Sequence, residues 1–266
     1  MSTEKERHIR VSGADIPVRE SGSGKPLLYL HGAGGLRNAE SLIAELSGHH
    51  RVIAPCHPGF GTTELPDWVE TVDDIANMYL ELLDKLGIEK VDLVGSSLGS
   101  WIGAEMACWH PERFGNIVLV GPIGIKVGPI DKLDIPDVFM KSRAELDRLL
   151  YFDPGQFVFN PDKMDDATLA ESVRNRETLA LLTWEPYMHN PKLKHRLQRV
   201  KAPTLLIRGE ADGLVSADYL ASYATLFENG ATTMVPLAGH SPEIEQPKAL
   251  ADTILSFFAK QMELAR

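Results

Sequence analysis

Cysteine is scarce in this chain. Cys56 and Cys108 are the only two in 266 residues. Neither stands in a C-x-x-C spacing, so neither a zinc site nor a disulfide framework organises the sequence. Long apolar runs are missing as well: no uninterrupted stretch approaches the ~18 residues that a membrane span requires. The segment "MSTEKERHIR" is charged and lacks an apolar secretory core. Two reduced thiols and a cytoplasmic location are therefore the expectation. Basic charge is in deficit, with 27 Lys and Arg against 37 Asp and Glu and a net charge of −10. That balance argues against nucleic acid or an anionic membrane as the main partner. No internal repeat or low-complexity tract interrupts the chain.

What is present is alternation. The length suits one large α/β domain, or one domain with a substantial insertion. "ERHIRVSGADIPVRES" reads as two short strands around Ser12-Gly13. Buried-strand patterns then recur in "LLYLHGAGG", "HRVIAPCHPGFG", "KVDLVGSS", "FGNIVLVGP", "APTLLIRGEAD" and "ATTMVPLAGH". Helical patterns separate them, among them "TVDDIANMYLELLDKLG", with Thr71 as N-cap and Gly87 at its end. Strands alternating with helices predict an α/β fold, a mostly parallel sheet covered by helices on both faces. The rhythm breaks between residues 123 and 200. That stretch is rich in Pro, Asp and Met and carries helical patterns, including "SRAELDRLLYF", "DDATLAESVRNRETLALLTW" and "NPKLKHRLQRV", but no clear strand. It is longer than an ordinary crossover. The expected division is a core of residues 1–122 and 201–266 with a helical insertion at 123–200; crossover helices with long loops are the other reading.

"LVGSSLGS" contains G-x-S-x-G, with Ser97 central between Gly95 and Gly99. A strand pattern precedes it and a helix pattern follows. A chain that turns sharply from strand to helix holds the central serine in a strained conformation. Side chains two residues to either side would collide there, which is why glycine is needed at both places. Ser97, not Ser96, is the candidate nucleophile. A serine hydroxyl reacts only when a base takes its proton. Of the nine histidines, His240 alone follows the last strand pattern. A carboxylate must orient that histidine. Asp212, just past the strand "TLLIRG", is the first choice, with Glu210 and Asp218 as weaker candidates. An oxyanion formed by attack on a carbonyl needs two N–H donors. One is expected at Leu98 and the second in the loop His31-Gly32-Ala33-Gly34-Gly35, at Ala33 or alternatively Gly34. This glycine-rich loop lacks the spacing of a phosphate-binding turn. The scheme calls for no metal and no cofactor.

Taken together, "LYLHGAGG", "APCHPGFGTT", "VDLVGSSLGSWIGAEMACWHPERFGNIVLVGP", "PTLLIRGEADGLV" and "LAGHSPEIEQP" resemble the recurring segments of the α/β-hydrolase superfamily, in its order. The resemblance implies an eight-stranded sheet with a helical cap at the insertion, and supports Ser97, Asp212 and His240 as a triad. Ser97 separates the chain from the epoxide hydrolases and haloalkane dehalogenases, which carry Asp there. The expectation is a serine hydrolase of small or medium carboxylic esters working through an acyl-enzyme. A meta-cleavage-type C–C bond hydrolase or a lactonase is the alternative. The meta-cleavage enzymes usually show Asn before the serine and Trp after the histidine, where this chain has Ser96 and Ser241, while Asn38 and the arginines of the insertion keep that alternative open. A non-catalytic ligand-binding relative is the reading from a different class. Trp101, Phe139, Met140, Trp184, Tyr187 and Met188 are candidate pocket residues, with plain packing as the competing role. The expected partner is a small-molecule ester; monomer and homodimer both remain open.

Overall fold

The computed structural model describes residues 5–157 and 160–264. Eight strands form one sheet: β1 (Lys5–Val11), β2 (Ala14–Ser21), β3 (Pro26–Leu30), β4 (Arg51–Pro55), β5 (Val91–Ser96), β6 (Phe114–Val120), β7 (Thr204–Gly209) and β8 (Gly230–Val235). Their order across the sheet is β1-β2-β4-β3-β5-β6-β7-β8. Strand β2 pairs antiparallel with both β1 and β4, and every other pairing is parallel. The expected α/β architecture is the observed one.

Parallel strands buried on both faces need apolar side chains at successive positions rather than at alternate ones. Strand β6 shows how these are shared out. Ile117 and Leu119 enter one core cluster, Val118 and Val120 the other. Strand β3 divides likewise, Leu28 and Leu30 against Leu27 and Tyr29. Helices α1 (Glu40–Ser47) and α7 (Pro247–Leu264) cover the Tyr29 face. Helices α2 (Val72–Lys85), α3 (Leu98–Trp109) and α6 (Ala217–Ala224) cover the Leu28 face. Each fully buried Leu, Ile or Val stabilises the fold by roughly 1.5–3 kcal/mol.

Local signals place the helix ends. Thr71 caps α2 through a reciprocal box: the Asp74 N–H donates to the Thr71 hydroxyl at 3.3 Å, and the Thr71 N–H donates to the Asp74 carboxylate at 2.9 Å. The helix stops at Gly87, whose φ of +65° suits glycine. Between β6 and β7 the described residues hold two α-helices, α4 (Arg143–Leu150) and α5 (Asp166–Thr183), and no named strand. An isolated bridge joins Gly124 to His189. The expected helix in "NPKLKHRLQRV" is absent. The segment closes as two 3₁₀ turns, Leu193–His195 and Leu197–Arg199. Its apolar spacing is helical, with Leu193, Leu197 and Val200 all buried. Pro191 and Pro203 bracket it, and the chain between them closes in 3₁₀ rather than α geometry. No helix among the described residues is long and apolar enough to cross a membrane.

Candidate active site

Ser97, His240 and Asp212 converge at the C-terminal edge of the sheet, where ligands bind in open α/β folds. Ser97 follows β5 and sits at φ 49°, ψ −110°, a strained conformation for a residue with a side chain. The glycines around it are sterically required. A Cβ on Gly95 would lie 2.5 Å from the Gly99 carbonyl oxygen, and one on Gly99 would lie 2.1 Å from that of Leu30. The Ser97 N–H is tied to the Val120 carbonyl at 2.7 Å. Ser100 adds a further tie, its hydroxyl donating to the Gly95 carbonyl at 2.6 Å with the Val120 carbonyl 3.0 Å away. Ser96 points elsewhere: its hydroxyl is buried and 3.1 Å from that of Tyr29.

The Ser97 hydroxyl lies 3.0 Å from Nε2 of His240. Nδ1 of the same ring lies 3.0 Å from Oδ2 of Asp212 and 3.2 Å from Oδ1. An Nδ1–H donated to the carboxylate leaves Nε2 bare to accept the serine proton. Asp212 is itself held, Oδ1 accepting the N–H groups of Leu214 at 2.8 Å and Val215 at 2.9 Å. Glu210 is exposed, and Asp218 is an exposed residue of α6. Burial works against a charged His240. The charge and hydrogen bond of Asp212, with the charge of Glu243, outweigh it and raise the imidazole above its usual value. Glu243 is buried in turn, and desolvation pushes its carboxyl up to about 7.

Leu98 opens α3, so its N–H is one of those at a helix start with no intrahelical acceptor. The loop after β3 borders Ser97: a Cβ on Gly32 would lie 3.4 Å from Cβ of Ser97. Ala33 is half-buried against the core, whereas Gly34 is exposed beside the Asn38 side chain.

The six pocket candidates fall into three places. Phe139, Trp184 and Tyr187 form one aromatic cluster, with the Phe139 ring 5.7 Å from Trp184 and 6.2 Å from Tyr187. Met140 is 79% exposed and Trp184 54%. Trp101 and Met188 are buried near Gly124. The Trp101 indole N–H donates to Glu105 at 3.1 Å, a Cβ on Gly124 would touch the indole, and the Gly124 N–H donates to the Met188 carbonyl at 3.1 Å.

Three features were not read from the sequence. Gly121 follows β6 at φ +51°, and a Cβ there would lie 2.9 Å from Cε1 of His240. The carbonyls of Leu149 and Leu150, at the end of α4, accept the Gly213 N–H at 3.0 Å and the His240 N–H at 2.7 Å. His31 and His57 stack beneath the glycine-rich loop with ring centroids 3.6 Å apart. Only the last had a sequence signal, a histidine closing each of two consecutive parallel strands.

A sequence profile of the alpha/beta hydrolase family matches residues 27–253. The chain is 25% identical to a 2-hydroxy-6-oxo-6-(2'-aminophenyl)hexa-2,4-dienoic acid hydrolase of Metapseudomonas resinovorans, over 98% of this chain and 93% of that protein. It is 29% identical to a 2-hydroxymuconate semialdehyde hydrolase of a Pseudomonas species, over 97% and 95%. A crystal structure of a meta-cleavage product hydrolase from Pseudomonas fluorescens superposes with a TM-score of 0.78 at 21% identity, covering 96% of this chain and 97% of that one. The chain belongs to the alpha/beta hydrolase family.

Proposed function

We propose that this protein hydrolyses the carbon–carbon bond beside the ketone of a 2-hydroxy-6-oxo-dienoate-type substrate, with Ser97 as nucleophile, His240 as base and Asp212 as its orienting carboxylate. The observation that carries this reading is the pair of near full-length relatives whose names specify that substrate class. The ester reading expected from the sequence becomes the second one. It keeps one specific support, Ser96 and Ser241 at the places where meta-cleavage enzymes usually carry Asn and Trp.

Both readings use the same atoms. His240 Nε2 takes the Ser97 proton as Oγ attacks the carbonyl carbon. The resulting oxyanion is held by the N–H groups of Leu98 and Ala33. Collapse expels the leaving group, and the imidazolium returns the proton to it. Water then cleaves the acyl-serine, releasing the carboxylic acid. An alkoxide leaves readily from an ester, whereas a carbon leaving group must be a stabilised carbanion. A 2-hydroxy-dienoate in its 2-oxo tautomer supplies that stabilisation, because conjugation spreads the charge to the 2-oxo acid. Residues 123–200 form a lid in this scheme, with Phe139, Trp184 and Tyr187 facing the acyl side.

The test is kinetic. Purified protein is assayed against a 2-hydroxy-6-oxo-dienoate by loss of its absorbance, and against p-nitrophenyl acetate. The C–C reading requires kcat/KM for the dienoate to exceed that for the ester by about a hundredfold, equivalent to roughly 2.7 kcal/mol of transition-state binding. Ser97-dependent ester turnover with no dienoate cleavage would sink it in favour of the ester reading.

A further inference from the structure

His31 closes β3 and His57 follows β4, the neighbouring parallel strand. Their rings are fully buried and stacked, with planes inclined by 24°, and Phe60 sets an edge against both. Their hydrogen bonds fix the proton on every ring nitrogen, because a carbonyl oxygen can only accept. The His31 Nδ1–H donates to the Gly32 carbonyl at 2.7 Å, which leaves Nε2 bare to accept the His57 backbone N–H at 2.9 Å. The His57 Nε2–H donates to the His31 carbonyl at 2.8 Å, which leaves Nδ1 bare to accept the Tyr79 hydroxyl at 2.6 Å. Burial pushes the His31 imidazole down to about 4 and His57 well below its usual value. Neither ring carries charge near neutral pH. Two buried imidazoles cost desolvation that an apolar pair would avoid, so packing alone does not account for them.

The chain of bonds ends on one particular peptide unit. The Gly32 carbonyl and the Ala33 N–H belong to the same planar, trans amide and point in opposite directions. Fixing the carbonyl therefore fixes the direction of the N–H. The Gly32 carbonyl also accepts the Gly35 N–H at 3.0 Å. Two donors on one carbonyl polarise the amide and strengthen its N–H as a donor. Gly32, at its start, borders the serine: a Cβ there would lie 3.4 Å from Cβ of Ser97.

We propose that Tyr79, His57 and His31 form a positioning device for the oxyanion donor: they lock the Gly32–Ala33 peptide so that the Ala33 N–H faces the oxyanion created when Ser97 attacks. This rests on the reading of Ser97 as nucleophile and Ala33 as donor. His57 and Tyr79 touch no substrate and act through His31. A donor aimed before the reaction needs no reorganisation during it. The device therefore acts on the transition state and leaves ground-state binding alone.

The experiment compares the full-length wild type with His57→Gln and Tyr79→Phe on every substrate whose turnover depends on Ser97. Each protein is also titrated with a trifluoromethyl ketone, whose serine adduct places an oxyanion between the two donors. His57→Gln is expected to lower kcat by roughly ten- to a hundredfold, since loss of a whole oxyanion donor costs 10²–10³, with KM unchanged within about twofold. Tyr79→Phe, which keeps both rings, should lower kcat by a smaller factor. In both, inhibitor affinity should fall by the same factor as kcat. Unchanged kcat in a folded His57→Gln overturns the inference, as does a loss of kcat that leaves inhibitor affinity unchanged. If His57→Gln does not fold, Tyr79→Phe decides by the same criteria. Absence of any Ser97-dependent turnover in the wild type overturns the underlying reading of the site, and this inference with it.

Discussion

Gly121 and His240 are packed so closely that glycine is the only residue the first position accepts. A Cβ on Gly121 would stand 2.9 Å from Cε1 and 3.1 Å from Nδ1 of the imidazole. The backbone there is also left-handed, at φ +51°. Gly121→Ala should therefore push the ring away from Ser97 and Asp212. We expect kcat to fall at least about tenfold, since small misplacements of reacting groups cost up to ~10². The strained backbone should cost a further ~1 kcal/mol of stability. Steady-state kinetics and a thermal melt check both. Full activity in the variant would mean that the ring has room the structure does not show.

The two serines of the elbow should separate cleanly. Ser97→Ala removes the hydroxyl 3.0 Å from His240 and is expected to lower turnover by about 10³ or more without unfolding the protein. Ser96→Ala removes only a buried bond to Tyr29. It should cost about 1 kcal/mol of stability and leave most activity. Side-by-side assays and denaturant titrations distinguish them, and a reversed pattern would refute the assignment of Ser97.

Asp212→Asn keeps the shape of the carboxylate but loses the charge that stabilises the His240 imidazolium. The expected loss in kcat is up to about 10⁴, while the exposed Glu210→Gln should cost little. A large effect at Glu210 with a small one at Asp212 would move the acid to the earlier position.

Glu243 provides a pH prediction with a definite sign. It is 7% exposed, and burial raises its carboxyl from the ordinary 4.5 to about 7. A raised folded-state value means that the fold prefers the protonated acid. Relative to an unfolded glutamate, this favours the native state at low pH and is lost as pH rises toward 7 and beyond. Glu243→Gln, which cannot ionise, should therefore be more stable than wild type above pH 7, by about 3 kcal/mol at most. The difference should vanish below about pH 4. Denaturant titrations at several pH values measure it. The same substitution removes a negative charge that supports protonated His240, so the acid limb of kcat/KM should move to lower pH. An acid limb that stays put or moves to higher pH would argue against that coupling.

Local chemistry made much of this molecule legible before any coordinates. Thr71, Asp74 and Gly87 bound their helix through interactions within a few residues. Gly95 answers to the Gly99 carbonyl four residues on, while Gly99 answers to the Leu30 carbonyl of a neighbouring strand, and the G-x-S-x-G spacing records both. Where tertiary packing decides, the sequence is silent or misleading. The apolar spacing of Leu193, Leu197 and Val200 reads as a helix, yet the chain there buries the same residues in two 3₁₀ turns. The stacking of His31 on His57 depends on β4 lying beside β3; a histidine after each of two consecutive strand patterns hints at it, but the pairing itself is tertiary. Met140 and Trp184 share an apolar character with Trp101, but the first two reach the surface and the third does not. The carbonyls of Leu149 and Leu150 leave no trace in side-chain identity, because main-chain acceptors belong to every residue.

Those two carbonyls bear on how the protein could be re-engineered or could diversify. The loops carrying Asp212 and His240 are both anchored to the end of α4, through Gly213 and through the His240 N–H itself. A chimaera that exchanges the whole of residues 123–200 would replace the segment that supplies both anchors. Grafts joined after Tyr151 would keep them, leaving the Phe139–Trp184–Tyr187 cluster to be altered from its Trp184 and Tyr187 side alone. Helix α4 thus belongs with the loops that carry Asp212 and His240, and a segment that can be exchanged without disturbing them begins beyond it.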